Sequence, residues 1–137
     1  MDKQKLDFAG EAWISAARDV LEELVATHGE DGRSFSVCEI FTNAPAHVAA
    51  DGVAAWHFRI DGRSVVVAAG IAPDTDVCIE ADYQAALPSA RLIYTPEIIA
   101  RRSAERTSGP RPGVRGDMSK APSYLVELHN RLAELTA

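Results

Sequence analysis

A chain of 137 residues, 47% hydrophobic and 25% charged, is long enough to bury a core without metal or disulfide help and reads as one domain spanning 1–137. No apolar run reaches the roughly 18 residues of a membrane span, which argues against stable membrane insertion. A net charge of −6 argues against general nucleic-acid binding.

That charge is unevenly spread. Between residues 91 and 120 seven basic groups (Arg91, Arg101, Arg102, Arg106, Arg111, Arg115, Lys120) face three acids, so the stretch is +4 and the remainder −10. Such a patch can meet an anionic headgroup, a coenzyme A phosphate or an acidic partner surface, or simply be a solvated loop. The N-terminus leads into an amphipathic segment rather than an apolar leader, so a cytoplasmic location is expected. Cys38 and Cys78, each in an expected strand, fit buried free thiols better than a disulfide in that compartment.

In chain order, residues 7–28 read as a helix with Asp7 as N-cap and Gly29 as the stop. Trp13, Ala17, Val20, Leu21, Leu24 and Val25 form its apolar stripe. Phe35 to Thr42 is an expected strand with Phe35, Val37, Glu39 and Phe41 on one side and neither face purely polar. Two runs of strand formers then meet at Asp61-Gly62, a dipeptide suited to a hairpin turn. Trp56, Phe58 and Ile60 share one face of the first run, His57 and Arg59 the other. The second run, Val65 to Ala69, is apolar on both sides and reads as central or covered. Asp76 to Asp82 alternates as a further strand. The Asp-Gly-Arg-Ser of 31–34 recurs at 61–64, which reads as two similar turns entering two strands.

A helix is expected from Tyr83 to Leu87, stopping at Pro88; Ala90 to Tyr94 is a fifth strand or a connection. Thr95-Pro96-Glu97 has the residues of a helix start. Thr107 to Gly116, with its glycines and prolines, reads as a loop. Pro122 opens a last helix with a seam of Leu125, Leu128, Leu132 and Leu135. Three or four antiparallel strands with one apolar face need helices on that face, so the class is α+β: a mainly antiparallel sheet of four to five strands covered by N- and C-terminal helices.

Standard catalytic signatures are absent: no phosphate-binding Gly-rich loop, no Gly-x-Ser-x-Gly, no His-Glu-x-x-His, no Cys-x-x-Cys. No cofactor or metal is called for. His28 suits a helix C-terminus and His129 the rim of the last helix. His57, Arg59, Glu80 and Asp82 can share one sheet face, either as an acid–base site or as cross-strand ion pairs.

The segment Trp56-His-Phe58-Arg-Ile60-Asp-Gly62, Val65 to Gly70, and Thr75-Asp76-Val77-Cys-Ile79 followed by Tyr83 to Leu87 resembles the sterol carrier protein 2 (SCP2) lipid-transfer family. About 30 residues carry the pattern, which is one of hydrophobicity and turns. Arg91 to Gly116 departs from it, since the family usually places another Gly-rich strand after the short helix. The resemblance implies a sheet–helix layer enclosing an apolar cavity for a sterol, fatty acid or acyl-CoA. Cavity candidates are then Trp13, Phe41, Trp56, Phe58, Ile79, Tyr83 and Leu128, with Arg101 and Arg102 for an anionic head; ordinary core packing is the competing role for each apolar residue.

Three functions follow. The first is a non-catalytic binding or carrier protein for an apolar small molecule. The second is an accessory module that forms a homodimer through the Leu125–Leu135 seam over a filled core. The third is a small enzyme using the His57/Glu80 face.

Overall fold

The computed structural model describes residues 5–105, 113–117 and 120–137. These run α1 (Glu11–His28), β1 (Ser34–Thr42), β2 (Ala54–Asp61), β3 (Ser64–Ala69), β4 (Val77–Asp82), α2 (Tyr83–Ala90), α3 (Pro96–Glu105), β5 (Val114–Gly116) and α4 (Leu125–Leu135). The strands form one sheet in the order β3-β2-β1-β4-β5. The α+β class is as expected, and three of the four pairings are antiparallel. The fourth corrects the expectation: β1 and β4 run parallel.

Parallel pairing requires a crossover, and residues 70–76 supply it. The chain leaves the edge strand β3 and enters β4 on the far side of β2 and β1. Three strand spacings are about 14 Å, and seven extended residues reach about 24 Å, so this strap has little slack for crossing the sheet diagonally.

β3 is the second correction. It is an edge strand, not a covered one, because its apolar run still alternates in space. Val67 faces α1 and is buried, while Val66 points the other way and is 67% exposed. Arg18 of α1 reaches round the edge and donates to the Val67 carbonyl at 3.0 Å. The β2–β3 loop is Gly62-Arg63 rather than Asp61-Gly62, since Asp61 still pairs with Ser64. The two Asp-Gly-Arg-Ser turns lie side by side, with Gly62 N–H donating to Arg33 O at 2.8 Å.

α1 begins four residues later than expected. Phe8 and Ala9 are buried in a turn with Ala9 at φ +59°, so Gly10 rather than Asp7 precedes the helix, without a side-chain cap. The expected stripe holds: Trp13, Ala17, Val20, Leu21, Leu24 and Val25 are all buried. α2 runs two residues past Pro88; Asp82 caps it, accepting from Ala85 N–H at 3.1 Å. Thr95 caps α3 as expected, its hydroxyl accepting from Ile98 N–H at 3.2 Å. Residues Leu92–Tyr94 form a connection docked on α4: Asn130 accepts from Tyr94 N–H at 2.7 Å and donates to Tyr94 O at 3.1 Å.

Part of the stretch expected as loop is β5. It pairs with β4 through three residues, bracketed by Gly113 and Gly116. Both have positive φ, and a Cβ there would lie 2.3 Å from Glu80 O and 2.0 Å from Asp76 O respectively, so only glycine lets the backbones approach this closely. The rest of the expected loop, 107–112, lies outside the described residues.

α4 packs antiparallel to α1. Trp13 Nε1–H donates to Thr136 Oγ1 at 3.1 Å at one end, Arg131 pairs with Glu23 at 2.9 Å along the way, and Tyr124 stacks on His28 at the other. Leu128 and Leu132 are buried within the chain by this docking, so the middle of the leucine seam is spent internally rather than left for a second copy.

Candidate functional site

Seven apolar residues are candidates for a ligand cavity, and six of them form a closed core. Trp13, Phe41, Trp56, Phe58, Tyr83 and Leu128 are each at most 6% exposed. Trp56 is met edge-on by Trp13 at 5.2 Å and lies 5.4 Å from Phe58. Phe8 closes the other side, 5.3 Å from Trp13, 4.7 Å from Phe41 and 5.4 Å from Tyr83. Offset and edge-on rings at these separations fill space, and the polar tips are satisfied: Tyr83 O–H donates to Phe8 O at 2.7 Å. Only Ile79 is partly exposed. Arg101 stands exposed on α3; the Arg102 side chain lies outside the described residues.

The polar constellation does share a sheet face, on the side away from α1 and α4, but its His57 and Arg59 serve the crossover strap. His57 Nδ1–H donates to Gly70 O at 2.9 Å. Arg59 pairs with Asp74 at 3.2 Å. The Asp76 carboxylate accepts from Ser36 N–H and Oγ–H at 2.8 and 3.1 Å. Arg115 of β5 donates to Thr75 O at 3.1 Å. β1 separates His57 from Glu80, and in register Cys38 opposes His57 while Ile40 opposes Glu80. Asp82 is engaged by Asn43 at 2.9 Å and by α2; those hydrogen bonds hold its carboxyl below the usual range. The four residues therefore do not converge on a common reacting point.

The chemical exception is Glu39. It lies on the helix-facing side of the central strand, between Val37 and Phe41 along β1 and between Trp56 and Ile79 across the sheet. Trp56 Nε1–H donates to its Oε1 at 2.8 Å, and no further hydrogen bond reaches the carboxyl among the described residues. Burial disfavours the anion and raises the pKa from 4.5 to about 7; the Trp56 bond, which favours the anion, offsets part of this. The side chain is not sealed completely. In its register row, Ile79 and Val114 are also only partly buried, as are Leu87 and Ala90 of α2 and Leu125 of α4. The helix side of β4 and β5 is thus an apolar strip with incomplete cover and one carboxyl at its inner end. A neutral carboxylic acid there can donate one hydrogen bond and accept others.

Two surface clefts lie elsewhere. One, of about 750 Å³, lies between the start of α1, the loop at Val48 and Ala49, and the end of β3 with Ile71. The other, of about 950 Å³, opens where α1 ends and α4 begins, floored by Phe35, Ile60 and Tyr124 and rimmed by Arg33, Lys120 and Glu127. None of the eight candidate residues whose side chains the structure describes lines either cleft.

Among the described residues no group of three His, Cys, Asp or Glu side chains is arranged to hold a metal ion, and no helix is long and apolar enough to cross a membrane. Glu39 was legible only as an acid alternating with Phe35, Val37 and Phe41; the stretch carried no motif to single it out. Comparison with family models, with curated proteins and with solved structures finds no match.

Proposed function

We propose that this chain is a non-catalytic, cytoplasmic binding or carrier protein for an apolar ligand of the sterol or fatty-acyl class. The ligand's body lies along the Ile79–Val114 strip, and its polar end meets the Glu39 carboxyl. The observation that supports this reading is the position of Glu39: a protonatable group at the inner end of a partly covered apolar strip, beneath the helices. Apolar burial supplies affinity at about 0.8 kcal/mol per CH₂, and a single polar group fixes orientation. The layered architecture is of the kind the SCP2 resemblance implies, while β5 follows the short helix only after α3. Because the Trp13–Trp56 cluster is closed, this reading puts the ligand on the β4–β5 side.

The cleft at Phe35, Ile60 and Tyr124 is a second place for the same ligand class, since it combines an apolar floor with a rim that carries Arg33 and Lys120 beside Glu30 and Glu127. One experiment separates the two. Native mass spectrometry of the protein as purified from cells, followed by solvent extraction, reports any co-purifying lipid; titration with a fluorescent fatty acid or sterol then gives affinity against pH. With Glu39 as the head contact, a neutral ligand should bind about tenfold more weakly per pH unit above 7. Glu39→Gln should remove that dependence, and Tyr124→Ala should leave it intact. Loss of binding in Tyr124→Ala with no effect of Glu39→Gln moves the ligand to the second cleft. An empty protein that takes up no lipid probe overturns the carrier reading.

A further inference from the structure

Cys38 and Cys78 are forty residues apart in sequence, yet they occupy directly opposed positions on the adjacent parallel strands β1 and β4. Both point to the sheet face away from α1 and α4, and both are free thiols. Neighbouring strands lie about 4.8 Å apart, inside the Cα separation of roughly 4.4–6.8 Å that a disulfide spans. Cys78 is near enough to act on the Cys38 thiol electrostatically and push its pKa up. Their environments differ: Cys38 is fully buried under the crossover strap, where Ala72 N–H points at its sulfur at 3.4 Å, whereas Cys78 is partly exposed. Among the described residues no third ligand makes the pair a metal site.

We infer that Cys38 and Cys78 are a redox-active dithiol that closes to an intramolecular disulfide between β1 and β4 when a two-electron oxidant such as hydrogen peroxide reaches Cys78. The Cys78 thiolate attacks one peroxide oxygen; the O–O bond breaks, and the departing hydroxide takes up the thiol's proton and leaves as water. Cys78 is then a sulfenic acid. The Cys38 thiolate attacks the Cys78 sulfur; an S–S bond forms, the S–O bond breaks, and hydroxide leaves with the Cys38 proton as a second water. Two thiols lose two electrons and one peroxide becomes two waters. Exposure assigns the roles. Burial first, and the neighbouring Cys78 in addition, push the Cys38 thiol up, while the Ala72 N–H acts in the opposite sense. Cys38 is thus sheltered from direct oxidation and answers only a partner already beside it.

The test uses the full chain, reduced and freed of reductant, exposed under native conditions to a few equivalents of hydrogen peroxide. The intact mass should fall by two hydrogens, and both thiols should be inert to maleimide when the oxidised chain is then assayed in denaturant. Digestion should yield one cross-linked peptide pair containing Cys38 and Cys78, and dithiothreitol should reverse all of this. In Cys38→Ser, Cys78 should instead progress to the sulfinic acid, gaining two oxygens. In Cys78→Ser, Cys38 should stay reduced and unreactive, which also shows that the sheet remains folded around it. Wild-type protein that accumulates Cys78 sulfinic acid with Cys38 still free, that forms only intermolecular disulfides, or that keeps both thiols reduced overturns the inference.

Discussion

The two ends of the sheet are built to different standards of closure. On the helix side of β1 and β2, Phe35, Val37, Phe41, Ala54, Trp56, Phe58 and Ile60 are all at most 5% exposed, sealed by α1 and Phe8. On the helix side of β4 and β5, Val77 is sealed but Ile79, Ala81 and Val114 are not. Aromatic rings explain the first region: each brings a large apolar area and packs against the next. In the second, the strands bring only aliphatic side chains to this side, and they consist of a six-residue strand and a three-residue strand flanked by an eight-residue helix containing a proline. Glu39 stands at the boundary. A carboxyl is tolerated there because one oxygen has the Trp56 N–H and because the open side leaves it incompletely desolvated.

The largest expected effect probes the closed region. Trp13→Ala removes an indole that is 4% exposed, an edge-on contact with Trp56 and the hydrogen bond to Thr136 that ties α4 to α1. Large-to-small changes of this kind cost about 3–5 kcal/mol, and denaturant unfolding should report a loss in that range. Ile79→Ala, in the open region, should cost about 1–2 kcal/mol, because its side chain is only partly buried. Equal losses would show that the two regions are equally closed.

At the boundary the probe is pH. The Glu39 pKa is raised on folding from 4.5 to about 7, so between those values the folded chain holds a proton that the unfolded chain releases. This contribution to stability is fully present below pH 4.5 and is lost as pH rises to 7, after which it stays lost. A difference of that size corresponds to ~3 kcal/mol. Glu39→Gln, which cannot ionise, should flatten this part of the profile and be the more stable form at pH 8. A wild-type profile that climbs from pH 5 to 8 with no change in the variant would mean that the carboxyl is effectively solvated.

What could be read without coordinates follows the same division. The α1 stripe, the β2 alternation and the Thr95-Pro96 helix start are local patterns, and each appears in the structure. The edge position of β3 was hidden because Val65 to Ala69 is apolar on both sides whether a strand is central or peripheral; only strand order settles it. The parallel β1–β4 pair was hidden for the same reason, and with it the opposition of Cys38 to Cys78 and the separation of His57 from Glu80. β5 was obscured by Gly113 and Gly116, which read as loop residues although their missing Cβ atoms are what allow the strand to form. Glu39 was visible as an odd residue on an apolar face, but whether it was exposed or buried depended on which side the helices took.

The smallest expected effect lies at the far edge of the open region. The Thr95 hydroxyl satisfies a free N–H at the start of α3, and replacing such a cap with alanine costs roughly 1 kcal/mol of helix stability. Of the α3 side chains the structure describes, only Ile98 is even partly buried. A helix held by so little packing can open without unfolding the sheet. Thr95→Ala should therefore speed amide hydrogen exchange along Pro96–Glu105 about fivefold while leaving the global unfolding midpoint nearly unchanged. A full loss of ~1 kcal/mol in global stability would instead make α3 part of the same cooperative unit as the Trp13–Trp56 core, and the contrast between the two ends of the sheet would be one of packing density alone.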